Sequence, residues 1–394
     1  MIAWFRYICL IVSLIITMPE LLSAQRLVSQ RQEDVEAGLL YNESVYILSN
    51  YSCLSSNSPE KLSLDELLRK QIEGFYFYLK RDTETNVLLL RKPDGTFTPF
   101  SESLEAIKTA LDADSTKVMT LFLDFYVETE LESSFKEIGL MEYVLEYDTK
   151  NGWPSLKDML SSGKRLVVFE VQKHLNSPSW LHNMRDFVEH TDADWGNQPE
   201  GVESFDERLK KNLSLFTGYK FLETSRGNSN DISALARQTP YLIESFKRAW
   251  IRDGRVPNFI LVDKYYAWLD VSLVTFRNFD IIYGAVTNNN ELLNYVNWDG
   301  MSNYTTGKYC FPLEPGAELM LSPISPGYRI EPATVYVSGT QRKAFASDFK
   351  ARPLRIDEDI EIYLPFEGDE KDGSSNHNLT VSRNVEFIQD PIRG

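Results

Sequence analysis

Val118-Met119-Thr120-Leu121-Phe122-Leu123-Asp124-Phe125 is an almost unbroken apolar run, and Arg165-Leu166-Val167-Val168-Phe169-Glu170-Val171 is a second. Short runs without polar alternation suit strands buried on both faces, which belong to parallel sheets covered by helices. Between them lie two helical patterns, Leu131–Ile138 and Ser155–Leu160. Working outward, the same alternation continues. Further strands are expected at Ser44–Leu48, Phe75–Leu79, Val87–Leu90, Lys220–Leu222, Phe259–Val262 and Ile281–Val286. Further helical patterns fall at Leu64–Glu73, Ser101–Leu111, Ser233–Trp250 and Glu291–Tyr295. Strands alternating with helices imply an α/β fold with a parallel sheet. Eight such units in roughly 260 residues predict a (β/α)8 barrel of the TIM type. A doubly wound sheet is the rival, but no glycine-rich phosphate loop follows the first strand.

The texture changes near Pro312. Short alternating strands follow at Glu318–Leu321, Thr334–Ser338, Ile360–Leu364, Leu379–Ser382 and Val385–Ile388, separated by Pro and Gly turns. The acidic run Glu367–Asp372 reads as a solvated loop. At the other end, residues 1–24 carry Arg6, an apolar run from Tyr7 to Met18, and the small pair Ser23-Ala24. That is the layout of a secretory signal peptide, with an uncleaved anchor as the rival. The expected organisation is a signal peptide at 1–24, a lead-in segment at 25–43, a barrel at 44–311 and a small all-β, sandwich-like module at 312–394. The expected location is secreted, periplasmic or cell-surface.

Composition narrows the partners. The 394 residues carry 41 Lys+Arg against 57 Asp+Glu, a net charge of −16, with 43% hydrophobic residues. The apolar fraction is ample for a packed core, which excludes wholesale disorder. The acidity argues against nucleic acid, whose phosphates need a basic surface. It also opposes anionic membranes on average, leaving only peripheral contact through local basic loops or aromatics. Three Cys exclude a disulfide-dense scaffold. Cys9 lies within the signal, while Cys53 and Cys310 could pair or remain two inert thiols. Asn42, Asn50, Asn212, Asn303 and Asn378 sit in N-x-Ser/Thr sequons.

One segment resembles a known family. Trp153-Pro154-Ser155-Leu156-Lys157-Asp158-Met159-Leu160-Ser161-Ser162-Gly163-Lys164-Arg165-Leu166-Val167-Val168-Phe169 is similar to the turn, helix and Gly-Lys-Arg strand start of phosphatidylinositol-specific phospholipase C, X-domain type. The likeness extends to Val118–Tyr126, to Gln71-Ile72-Glu73-Gly74, and to the run from Pro257 to Tyr266. The resemblance implies a distorted TIM barrel whose site lies at the C-terminal ends of the strands. It implies a phosphoric diester hydrolase. One His acts as general base on an inositol hydroxyl, a second as general acid, and a carboxylate orients the first. Calcium or an Arg neutralises the phosphate.

The chain departs from that pattern at the chemistry. Leu48-Ser49-Asn50-Tyr51 places Ser49 where the base His belongs. Tyr76 replaces the family Arg, Leu79 and Arg81 occupy acidic positions, and Arg91 stands at the acid His. Asn50, Asp124, Lys164 and Asp263 are retained by position. His174 follows the strand through Phe169, so it and Asp263 are the candidate catalytic pair. His182 and His190 fall in the stretch read as helical after that strand. Asn50, Asp124, Lys164, Arg81 and Arg91 are the candidate ligand-binding residues. No metal-ligand spacing is present, and calcium enters only through the resemblance, with an incomplete ligand set.

Each residue also has a structural reading. Ser49 and Asn50 could cap a loop. Asp124 could close a barrel layer, and Asp263 could pair with Lys264. Lys80, Arg81, Arg91 and Lys92 could bind an anion or form a solvated turn with Pro93-Asp94-Gly95. Three functions follow. The first is a catalytically degenerate phospholipase C-like protein, a pseudoenzyme that binds a phosphoinositide, an inositol phosphate, a lipid headgroup or a glycan. The second is an active diesterase built on Asp263, His174 and Arg91. The third is an adhesion or carbohydrate-binding protein acting through the β module.

Overall fold

The computed structural model describes residues 31–53, 63–69, 72–124, 131–148, 150–172, 177–191, 215–219, 247, 250–251, 254–262, 276–300, 304–339 and 341–355. Residues 1–30 and 356–394 lie outside them, and with them the expected signal peptide, the acidic run and the last three expected strands.

Ten strands build the first body: β1 (Tyr46–Ser49), β2 (Gly74–Arg81), β3 (Leu88–Arg91), β4 (Phe97–Pro99), β5 (Met119–Asp124), β6 (Leu166–Glu170), β7 (Leu181–Asn183), β8 (Val188–Thr191), β9 (Leu215–Tyr219) and β10 (Phe259–Val262). All but β3 and β4 pair in parallel, each with its neighbour in chain order, and β10 returns to β1. A parallel ring in chain order is the winding of a (β/α)8 barrel. Among the described residues β7 and β8 share no ladder and are joined by the helical turn Met184–Phe187, so the barrel is distorted there.

Local chemistry explains the elements. The helix Phe100–Ala113 buries Leu104, Ile107 and Leu111, the spacing of one helical face. The helix Leu156–Ser162 starts at Ser155, whose hydroxyl accepts the Asp158 amide at 3.1 Å. It stops at Gly163, whose φ of 72° suits a residue without a Cβ. Inside the barrel, aromatic rings replace the usual aliphatic layers. Phe122 stacks on Phe169 at 5.0 Å and meets Phe259 edge-on at 5.2 Å, while Tyr46 lies 5.8 Å from Phe259. On the other face of β2, Phe75 and Phe77 stack at 5.3 Å, and Phe77 packs against Phe100 of the helix layer.

Several expectations are corrected. Val87–Leu90 is not a barrel strand: β3 runs antiparallel to β2 as part of a flap with β4. The strand expected at Lys220–Leu222 lies outside the described residues, which hold β9 just upstream of it. Strands β7 and β8 were not expected, because Leu-His-Asn and Val-Glu-His-Thr hold no apolar run. Ile281–Val286 leaves the barrel altogether.

That run lies in β11 (Asp280–Asn288), the centre of an all-β region that begins upstream of Pro312. The region continues with β12 (Glu291–Leu292), β13 (Val296–Trp298), β14 (Tyr304–Thr305), β15 (Lys308–Leu313), β16 (Glu318–Leu321), β17 (Pro323–Ile324), β18 (Tyr328–Glu331), β19 (Val335–Ser338) and β20 (Lys343–Pro353). β11 pairs antiparallel with β15 and parallel with β20. Pro312 therefore sits inside β15, opposite Ile281. Glu291–Tyr295 is not helical. Asn289 and Asn290, at φ 50° and 69°, form the two-residue turn that folds β12 back on β11. This region has its own core of Trp298, Tyr309, Phe311 and Phe349. Cys310 is a free buried thiol, not one half of a bridge. Trp250 Nε1 donates to its sulfur at 3.0 Å, and burial pushes the thiol up to about 12.

The lead-in segment is part of the packed structure from Arg31 onward. Residues 31–36 are helical, and Arg31 and Asp34 are buried with Glu73, Arg277 and Arg342. Arg31 pairs with Glu73 and lies 3.4 Å from Asp34. Arg277 Nη2 lies 3.1 Å from Glu73, and Arg342 Nε donates to Asp34 at 2.6 Å. Arg342 also donates to the carbonyls of Phe279 and Arg277. Burial alone would raise the Asp34 carboxyl, but Arg342, Arg31 and Arg277 together hold it below the ordinary value. Nearby Asp280 goes the other way: burial, aided by Glu33 and opposed by Arg342, lifts it to about 6.

Two outcomes follow. Asp34→Ala leaves Arg342 buried without its carboxylate, so chemical denaturation should show a loss of about 3–5 kcal/mol. The folded Asp280 carboxyl titrates at about 6 against an ordinary 3.8, so its ionisation opposes folding. This contribution favours the folded chain at low pH and is lost as pH rises through about 6. Asp280→Asn should therefore melt at or above the parent protein at neutral pH, an advantage that fades in acid.

Candidate functional site at the barrel mouth

Parallel strands end together, so the C-terminal ends of β1, β2, β5, β6 and β7 bring Ser49, Tyr78, Asp124, Glu170 and Asn183 to one end of the barrel. Asp124 is the centre. Tyr78 is its register partner on β2, and Tyr76 lies two residues back on the same face. The Tyr76 hydroxyl reaches along the strand and donates to Asp124 Oδ2 at 2.9 Å. From just beyond β6, Gln172 Nε2 donates to Oδ1 at 2.8 Å. Both donors are neutral. The carboxylate is thereby held in one orientation.

Ser49 ends β1 fully buried, and its hydroxyl has no hydrogen-bond partner among the described residues. Asn50 follows, also buried, so its sequon is closed in the folded chain. Ser52 then fastens the loop. Its hydroxyl accepts the Tyr78 amide at 2.8 Å and donates to the Arg91 carbonyl at 3.0 Å. The loop after β1 thus sets the ends of β2 and β3 together. Glu170 points away from the barrel interior that its neighbour Phe169 fills. It accepts from Ser177 at 2.5 Å and from Asn183 at 3.5 Å.

The remaining candidates disperse. Lys164 precedes β6, at the opposite end of the barrel, and its Nζ donates to the Met141 carbonyl at 3.3 Å. It is not part of the mouth. Arg81 ends β2 opposite Leu88, whereas Arg91 ends β3 beside the mouth. The two lie at opposite ends of one hairpin ladder, so the basic residues do not form one cluster. Lys80 is engaged by the Phe97 ring at 3.7 Å. His174 and Asp263 lie outside the described residues. His182 and His190 are on strands, not on a helix. His182 is buried among Trp153, Phe169 and Phe187, with Nε2 3.1 Å from the Leu145 carbonyl, and burial lowers its pKa. It is a core histidine. Sequence reasoning passed over Ser52 and Gln172. Only the strand register could single them out, since neither belongs to a motif.

No group of three His, Cys, Asp or Glu side chains forms a metal-binding cluster among the described residues. No helix among them is long and apolar enough to cross a membrane.

Ser52→Ala removes the side-chain acceptor of the Tyr78 amide. The expected loss is about 0.5–1.5 kcal/mol, with faster hydrogen exchange at Tyr78 as the local readout.

A family model described as PI-PLC X 1 matches residues 90–199. No curated protein matches the chain. Among solved structures, the phosphatidylinositol-specific phospholipase C from Listeria monocytogenes is 12% identical with a TM-score of 0.39, covering 62% of this chain and 98% of its own. An S. aureus structure, whose subject is the membrane binding of its phosphatidylinositol-specific phospholipase C, is 12% identical with a TM-score of 0.40, covering 61% and 95%. PLC21 of S. officinalis is 13% identical with a TM-score of 0.34, covering 57% and 30%. Over residues 90–199, then, this chain is similar to the X domain of phosphatidylinositol-specific phospholipase C.

Proposed function

We propose that the chain is a catalytically degenerate phospholipase C-like barrel whose mouth binds a phosphorylated inositol, a lipid headgroup or a glycan. The observation that carries this is the end of β1. A buried serine stands there instead of an imidazole, while the carboxylate on β5 is kept and anchored by Tyr76 and Gln172. A serine hydroxyl does not accept a proton near neutral pH, so general-base catalysis loses its agent while hydrogen-bonding capacity remains. Arg91, beside the mouth, supplies positive charge for a phosphate. The location in this reading is secreted, periplasmic or cell-surface, from the character of residues 1–24. Membrane contact is peripheral, since a net charge of −16 opposes anionic lipid.

Hydrolysis of phosphatidylinositol by the full chain, with calcium and with chelator, should show no turnover in either condition. Inositol 1-phosphate binding by titration should weaken about tenfold in Asp124→Ala and stay unchanged in Lys164→Ala. Robust turnover that Asp263→Ala abolishes would overturn the reading in favour of an active diesterase using Asp263 and His174.

A further inference from the structure

We infer that the guanidinium of Arg277, buried at the N-terminal end of the barrel, holds a small monovalent anion of the halide type. The inference is independent of what the mouth binds. Arg31, Arg277 and Arg342 are buried there with two carboxylates, Asp34 and Glu73. Every oxygen of those carboxylates already has a donor. Arg342 Nε donates to Asp34 Oδ1 at 2.6 Å, and Arg31 Nη1 donates to Oδ2 at 3.4 Å. Arg31 Nη2 donates to Glu73 Oε1, and the Ile47 amide donates to Oε2 at 3.3 Å. Arg342 turns its other two nitrogens to the carbonyls of Phe279 and Arg277. Arg277 is left over. Its Nη2 lies 3.1 Å from Glu73 Oε1, the oxygen that Arg31 takes, and among the described residues neither Nη2 nor Nε makes a hydrogen bond. The residue is 2% exposed, so bulk water does not reach those donors.

Charge decides what completes the site. Three guanidinium cations against two carboxylates leave one positive charge over. Burial lowers the Arg277 pKa, and Arg31 lowers it further, while Glu73 and Asp34 act against them without making up the loss. Asp280 is set elsewhere: beyond its burial, the charges that act on it are Arg342 and Glu33. A water molecule would accept from the two N–H groups and still leave the charge unpaired, which is the larger cost of burying an ion. One monovalent anion accepts from both and cancels the surplus. A phosphate or sulfate would set two negative charges beside Asp34 and Glu73, and their repulsion disfavours it.

Two experiments on the full chain test this, with bromide as the probe. Crystals soaked in sodium bromide should show an anomalous bromine peak bonded to Arg277 Nε or Nη2. Thermal melts in sodium bromide should lie about 2–4 °C above melts in sodium gluconate at equal ionic strength, and Arg277→Met should lose that difference. Matching the ionic strength removes general screening, which acts alike in both salts. An Arg277 without bromide, or with an ordered water in its place, would overturn the inference. A melting difference that Arg277→Met retains would overturn it too, because the halide would then act elsewhere. A peak at Arg277 with equal melts would mark an adventitious ion only and count equally against it. Should Arg277→Met fail to fold, the peak and the two melts of the parent protein decide alone.

Discussion

The structure depends on a buried group of charges at the N-terminal end of the barrel. Asp34 and Glu73 meet Arg31, Arg277 and Arg342, and the five residues come from four separate parts of the chain. Burying an ion is costly, and only well-aligned partners offset that cost. Here the partners come from the segment before β1, the start of β2 and the two margins of β11 and β20. The segment before β1 sets Arg31 beside Asp34, while Glu73, Arg277 and Arg342 each take a partner from another segment. Glu73 also accepts the Ile47 amide at 3.3 Å, which ties the group to β1. The group links the barrel to the all-β region through charges contributed by both. Lys343 and Glu43, at 2.5 Å, extend the same contact toward the surface.

With that end closed by charges, the other end is free to vary. The strands carry Ser49, Tyr76, Asp124 and Gln172 to the mouth on a frame of stacked aromatics that holds them in register. Function in such a barrel lives in the strand ends and loops, so a scaffold can persist while the chemistry it presents changes. In the function proposed here, Ser49 and Tyr76 stand where the family resemblance implies an imidazole and a guanidinium, a change that would remove proton transfer and fixed positive charge.

Much of the fold was legible. The runs at 118–125 and 165–171 became β5 and β6 because a strand covered on both faces needs apolar residues throughout. The helices at 100–113 and 156–162 announced themselves by apolar spacing and a serine cap. The short strands β7 and β8 did not, since three or four mixed residues carry no period to detect. Strand β20, the longest in the all-β region, was also silent, because its half-buried positions tolerate polar and small residues. Ile281–Val286 looked like a barrel strand and is not, because apolar content marks burial but not the identity of the neighbouring strand.

The site divides along the same line. The sequence by itself determined the class of fold, the likeness to the phospholipase C X domain, and the presence of a serine at position 49 and a carboxylate at position 124. These rest on residue type, which is written locally. Tertiary structure decided that Lys164 faces the wrong end, that Arg81 and Arg91 are apart, and that Tyr76 and Gln172 converge on one carboxylate. It also decided that Arg31 and Asp34 are buried with Arg342 rather than solvated in a leader. Convergence depends on strand register and on which ends of the strands point the same way. Those are relations between residues far apart in the chain, and no local pattern encodes them.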